Sequence, residues 1–284
     1  EIEKKIGTNP FKFGLIGSTD NHTALAASEE DNFFGKFLDS EPGPGRVESC
    51  MGGCGRPVTQ ADGEDIPSGD LWRNWQITAS GYAGVWARDN TREEIFNAFK
   101  RRETFATTGP RIAVRFFGGW EFSKKDSVDP NFVDVGYTKG VPMGSDLPLK
   151  KSNKSPTFII MAAKDPNGAN LERVQIIKGW TTKDGSSSER VFDVDISSDA
   201  GSNTVNISTA TYENSIGEAQ FVSFWSDPDF NSNEQAFYYV RVIEIPTPRW
   251  TTYDSVVFGN KLPKFIPGSH QERAYTSPIW YSPE

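Results

Sequence analysis

The sequence predicts a mixed α/β part followed by a β-rich, sandwich-like part. Three observations carry that expectation. Near the start, the apolar run Phe13 to Ile16 ends in a Gly-Ser turn followed by Asp20 and His22. α/β sheets and barrels place polar side chains just past a strand's C-terminal end in this way. Further on, Thr91-Arg-Glu-Glu94 has the capping-box pattern at the head of an amphipathic segment. From about Phe117, short alternating runs separated by turn clusters replace helical periodicity. The expected division is therefore 1–116 and 117–284.

Composition sets outer bounds. A length of 284 residues allows one large or two ordinary domains. Eight tryptophans and twenty phenylalanines supply large side chains for a packed core. The net charge of -8 argues against a nucleic-acid or anionic-membrane surface. No apolar run approaches the length of a membrane span.

Taken in order, residues 1–10 read as a charged helix end or a linker, broken by Pro10 before the strand. Side chains two apart in an extended segment share a face, so Asp20 and His22 should converge. A carboxylate oxygen and an imidazole nitrogen are a usual pair of first-row metal ligands. The competing reading has Asp20 capping a helix and His22 at the surface. That helix would begin within Thr23 to Ala27. Glu29, Glu30 and Asp31 then read either as a further ligand or general base, or as solvated acids favoured by the helix dipole; the second is preferred. Residues 41–69, rich in Gly, Pro, Ser and Asp, form a long loop, either a lid or a solvated insertion. Cys50 and Cys54 lie within it, either as a local disulfide or as two unpaired thiols.

Arg88 precedes the capped helix and reads as an anion clamp for a phosphate or as a partner of Asp89 or Glu93. The helix itself should bury Ile95, Phe96 and Phe99 and end in Lys100-Arg101-Arg102, which suits its C-terminal dipole. Glu103 to Thr108 is a strand before a Gly-Pro turn. Ile112, Val114 and Phe116 alternate with Arg111 and Arg115 as in a half-buried strand. Thr107, Thr108 and Arg111 either bind an anion or are hairpin hydroxyls and surface charge, the simpler explanation.

In the second half, strands are expected at Phe158–Ala162, Val174–Ile177, Arg190–Val194 and Phe237–Glu244, with Asp184-Gly185 as a hairpin turn. No helix is expected there. Asp146, and Asp227 with Asp229, sit in oxygen-rich loops that resemble calcium sites, although Asp-Pro also starts ordinary turns. Lys178 reads as a reach toward a substrate anion or as an exposed strand lysine. His270, in the proline-containing tail, reads as a solvated surface residue.

Long blocks of the chain resemble the DUF3604 family. They are ALAASEEDNFFGKFLDSE from Ala24, SGYAGVWARDNTREEIFNAFKRRETFATTGPRIAVRFFGG from Ser80, GVPMGSDLP from Gly140, LERVQIIKGW from Leu171, SDPDF from Ser226 and FYYVRVIEIP from Phe237. The resemblance implies kinship with the PHP metal-dependent phosphoesterases and amidohydrolase-like enzymes. It implies the C-terminal part of a PHP-like distorted (β/α) barrel followed by a β-sandwich-like domain. In that superfamily the last metal motif is Asp-x-His, which Asp20 and His22 match. A divalent Zn, Mn or Fe and a small ester or phosphoester substrate follow from it, with a periplasmic or secreted location favoured. The superfamily's His-x-His motif should lie upstream, yet the nineteen residues before Asp20 hold no histidine. The chain is thus expected to be part of a hydrolase, inactive alone, and prone to homo-oligomerise through open strand edges. The alternative is a non-catalytic β-rich scaffold, or a carbohydrate- or partner-binding module with Trp180, Trp225 and Trp250 on one exposed face.

Overall fold

A computed structural model describes residues 2–47, 49, 73–149, 154–182 and 184–283. Its strands in chain order are β1 (Tyr82–Val85), β2 (Thr104–Thr107), β3 (Ala113–Gly119), β4 (Gly140–Pro142), β5 (Thr157–Ala163), β6 (Leu171–Thr181), β7 (Ser187–Ile196), β8 (Gln220–Ser226), β9 (Gln235–Glu244), β10 (Thr247–Pro248), β11 (Ser269–His270), β12 (Arg273–Thr276) and β13 (Ile279–Tyr281). The helices are α1 (Ile2–Ile6), α2 (Asn74–Ile77), α3 (Arg92–Lys100), α4 (Lys124–Ser127), α5 (Phe132–Lys139) and α6 (Trp250–Phe258).

Two antiparallel sheets dominate. The larger runs β1-β2-β12-β9-β6-β7, with β13 also paired to β9, and the smaller runs β4-β3-β5-β8. Alternation along the strands builds the core they share. Phe116 and Phe158 come from the smaller sheet, and Val174, Ile176, Tyr238, Val240, Val242 and Ala274 from the larger. The rings of Phe158 and Tyr238 meet 4.7 Å apart. Each such burial contributes about 2 kcal/mol against chain entropy. On the other face of the smaller sheet, Phe117 and Ile159 pack against Phe122 and Phe132.

The expected strands at Phe158, Val174, Arg190 and Phe237 stand where the alternation put them. Asp184-Gly185 turns β6 into β7, with Gly185 at φ 88° and Asp184 accepting from Ser186 N at 3.0 Å. Thr91 caps α3, its hydroxyl accepting from Glu94 N.

Other expectations need correction. Among the described residues every pairing between the named strands is antiparallel and neither sheet closes, so they form no (β/α) barrel. Positions 116 and 117 both lie within β3, and β2 pairs with β12 from the far end of the chain. Phe13 to Ile16 is not a strand. Leu15 N donates to Ser277 Oγ at 2.9 Å rather than to a ladder carbonyl. At Gly17 a Cβ would stand 2.4 Å from Tyr82 O, so the segment approaches β1 more closely than any side chain permits. No helix begins at Thr23, where Ala24 has a left-handed φ of 63°. In α3, Ala98 is the buried residue, while Phe96 and Phe99 stay exposed.

The second half does contain helices, α5 and α6 among them. α6 buries Trp250, Thr251, Thr252 and Asp254, so it shows no apolar stripe. The tail is structured rather than polar surface. β12 sits between β2 and β9, and Ala274, Ile279 and Tyr281 are buried.

Cys50, Cys54 and most of the 41–69 loop lie outside the described residues. Among the described residues no helix is long and apolar enough to cross a membrane.

Candidate functional site

Two distant pieces of chain meet beside the larger sheet. A 3-10 turn, Glu30–Asn32, carries Glu30. β11 ends in His270, and Glu272 follows just before β12. Their ligand atoms all lie within 4.8 Å of one another. His270 Nε2 is 3.0 Å from Glu272 Oε1 and 3.8 Å from Glu30 Oε1.

Glu30 and Glu272 are each held by neighbouring donors. Glu30 Oε2 accepts from Trp250 N, at the positive end of α6. Arg46 ties Glu30's segment to the same helix. Its Nη1 donates to Phe33 O at 2.7 Å, its Nη2 to Asp254 Oδ1 at 2.9 Å, and its guanidinium lies 4.4 Å over the Trp250 ring. The Thr108 hydroxyl donates to Glu272 Oε2. Thr108 follows β2, so the larger sheet fixes Glu272 from both sides.

The cluster opens into a cleft of about 180 Å³ lined by six carboxylates, including Asp165 and Glu244. Arg111 N donates to Asp165 Oδ2 at 2.7 Å, and Arg111 Nε lies 3.2 Å from the same oxygen. Glu244, at the end of β9, is 1% exposed, and its Oε1 meets no donor among the described residues.

These surroundings shift the carboxyls. Burial raises Glu244 well above the ordinary range, and Glu272 and Asp165 add to the shift. Burial also raises Glu30, although His270 opposes this. His270 loses basicity to burial but regains more from Glu272 and Glu30, ending above its usual value. Tyr253, at the cleft wall, is pushed up to about 12 by burial and by Asp31. Tyr212 is likewise raised by burial and by Glu244, so both phenols keep their protons beside the acid-rich wall.

Chemically, two carboxylates and an imidazole are donors for a divalent first-row cation. The orphaned Glu244 oxygen beside them leaves a buried acceptor for a further donor.

Asp20 and His22 do converge, with His22 Nε2 3.3 Å from Asp20 Oδ1. Lys36 Nζ, however, sits 2.6 Å from Asp20 Oδ2 and holds that carboxyl below its usual range. His22 packs edge-on against Phe37 at 4.3 Å. Among the described residues no third ligand joins this exposed pair. Arg88 is exposed and lines neither the acidic cleft nor a groove near Trp280.

Arg111 lines the cleft and Thr108 bonds to Glu272 behind it, whereas Thr107 is buried within β2. Glu30 and His270, expected in solvent, are cluster members. The other oxygen-rich loops are satisfied by protein cations. Asp146 pairs with Lys12, Asp229 with Arg190 at 2.6 Å, and Asp227 with Lys178 at 2.7 Å. Lys178 is buried rather than exposed. Trp250 is buried and Trp180 and Trp225 pack against the core, so the three form no exposed face. The signal missed in the sequence is His270-x-Glu272, the same spacing as Asp20-x-His22.

Fold and site together define a two-sheet antiparallel protein with an acid-rich cleft built around a carboxylate–imidazole cluster. The chain belongs to the family described as Protein of unknown function (DUF3604), which matches residues 1–283. No curated protein and no solved structure matches it.

Proposed function

We propose that the protein is a metal-dependent hydrolase related to the PHP enzymes, with its cation held by Glu30, His270 and Glu272. The convergence of those three side chains within 4.8 Å carries the reading. Zn, Mn or Fe suits this oxygen and nitrogen donor set. A cation bound there supplies Lewis acidity toward a carbonyl or phosphoryl oxygen and lowers the pKa of water.

The chain's own groups supply the rest. Glu244 stands beside the cluster with its Oε1 unpartnered, leaving an acceptor in the same cleft for a donor group of the substrate. Thr108 and Trp250 N orient the two carboxylate ligands. Arg111, fixed by Asp165, presents its guanidinium at the rim to a substrate oxygen. Acid-rich walls favour a neutral carboxylic ester over a phosphoester dianion. On this reading the two packed sheets form a sandwich-like scaffold around the site.

A second reading places the cation at Asp20 and His22, favoured by their 3.3 Å approach. It requires Lys36 to leave Asp20. The test is hydrolysis of p-nitrophenyl acetate by Mn²⁺- or Zn²⁺-loaded protein, measured above the free-metal background. Chelation and His270→Ala should abolish the rate, and His22→Ala should leave it. Loss in His22→Ala alone moves the cation to the Asp20 pair, and a rate insensitive to both variants contradicts metal-dependent hydrolysis by this chain.

A further inference from the structure

The charge on the cleft walls bears on what else enters it. Glu29, Glu30, Asp31, Asp165, Glu244 and Glu272 line it, with Arg111 as the basic residue among the lining. That guanidinium already faces Asp165. Lys164 and Arg249 stand close by, but their charged ends are bonded to backbone carbonyls. Lys164 Nζ is 2.9 Å from Asp165 O and 2.8 Å from Gly168 O, and Arg249 Nη2 is 2.9 Å from Trp75 O.

Two independent features mark the remaining acids as a cation's surroundings. Glu244 is 1% exposed with an unpartnered Oε1 among the described residues, an acceptor that has lost water without gaining a donor. Tyr212 and Tyr253, both half-buried, line the same cleft, and aromatic faces attract cations.

Resting on the hydrolase reading, we propose that the cleft selects a substrate bearing an ammonium group, seated against Glu244 and Asp31 between Tyr212 and Tyr253. The ammonium donates to the orphaned Glu244 oxygen and meets the acids that the divalent cation leaves unpaired. An anionic substrate of the same size meets those acids as like charges in a poorly solvated space. An aliphatic amine on an ester or amide fits a cleft of about 180 Å³.

The test uses calorimetry on Mn²⁺-saturated protein with two probes of equal length and opposite charge, n-butylammonium and butyrate. Butylammonium should bind at least about tenfold more tightly than butyrate, and its affinity should fall with added salt. Glu244→Gln and Asp31→Asn, each checked for an unchanged unfolding transition, should each weaken it by about tenfold while Mn²⁺ binding persists. Butyrate binding as well as butylammonium overturns the proposal. So does expulsion of Mn²⁺ by butylammonium, because the cleft then holds a single cation. Mn²⁺ binding is read in its own titration. If Mn²⁺ fails to bind while butylammonium binds in a Glu244-dependent way, the metal reading falls and the ammonium site stands.

Discussion

His270 Nε2 lies 3.0 Å from Glu272 Oε1, with Gln271 alone between the two residues in sequence. The chain is extended between β11 and β12, so both side chains point to one face. Glu30 then closes the cluster from the opposite end of the chain. In the metal-free protein this arrangement has a measurable consequence. The imidazolium of His270 is favoured by Glu272 and Glu30 against the cost of burial, so its pKa is raised. That contribution to stability is full below the unfolded value of about 6.5 and is lost as pH rises through the folded value. The chain has two histidines, which makes the assignment simple. NMR titration should find His270 above the ordinary value and lowered by Glu272→Gln. A value below the ordinary one contradicts the geometry.

Glu244 contributes with the same sign, through a buried carboxyl rather than an imidazole. Its folded pKa is raised by burial, Glu272 and Asp165. The protonated carboxyl stabilises the fold fully below the unfolded carboxyl value, and that stability is lost as pH rises through the folded pKa. Glu244→Gln removes the titration. The variant should be more stable than wild type in alkaline buffer and nearly equal to it in acid. Urea unfolding at the two pH extremes reads the difference. A variant less stable than wild type in alkali contradicts a strained, function-bearing carboxyl.

Lys178 and Asp227 form a pair in the core, with side chains 3% and 0% exposed. Tyr238 OH donates to the same carboxylate at 2.7 Å, and Lys178 also donates to Asp229 O at 2.8 Å. Removing one partner strands the other charge. Asp227→Ala should cost about 3–5 kcal/mol in urea unfolding, and Lys178→Met combined with Asp227→Leu should cost less. Equal costs would mean that the pair's attraction outweighs its desolvation.

The readable parts of the fold share a local cause. β5, β6, β7 and β9 alternate strongly, Asp184-Gly185 suits a left-handed turn, and Thr91 with Glu94 caps α3. β12 and β13 were not readable because they are only four and three residues long. Their burial comes from β2 and β9, far away in sequence. α6 hid because the residues it buries include two threonines and an aspartate, and only the left-handed Gly259 at φ 68° marked its end. Of the site, the convergence of Asp20 and His22 followed from their spacing. His270-x-Glu272 carries the same spacing sign, whereas tertiary packing alone brings Glu30 to that pair.

The most direct test of the metal assignment is elemental analysis of purified protein after equilibration with Zn, Mn or Fe. Wild type would be compared with Glu30→Gln and His270→Ala, and separately with Asp20→Ala and His22→Ala. The cluster at Glu30, His270 and Glu272 predicts stoichiometric metal that is lost in the first two variants and kept in the second two. Metal that survives Glu30→Gln and His270→Ala, or that disappears with His22→Ala, contradicts it.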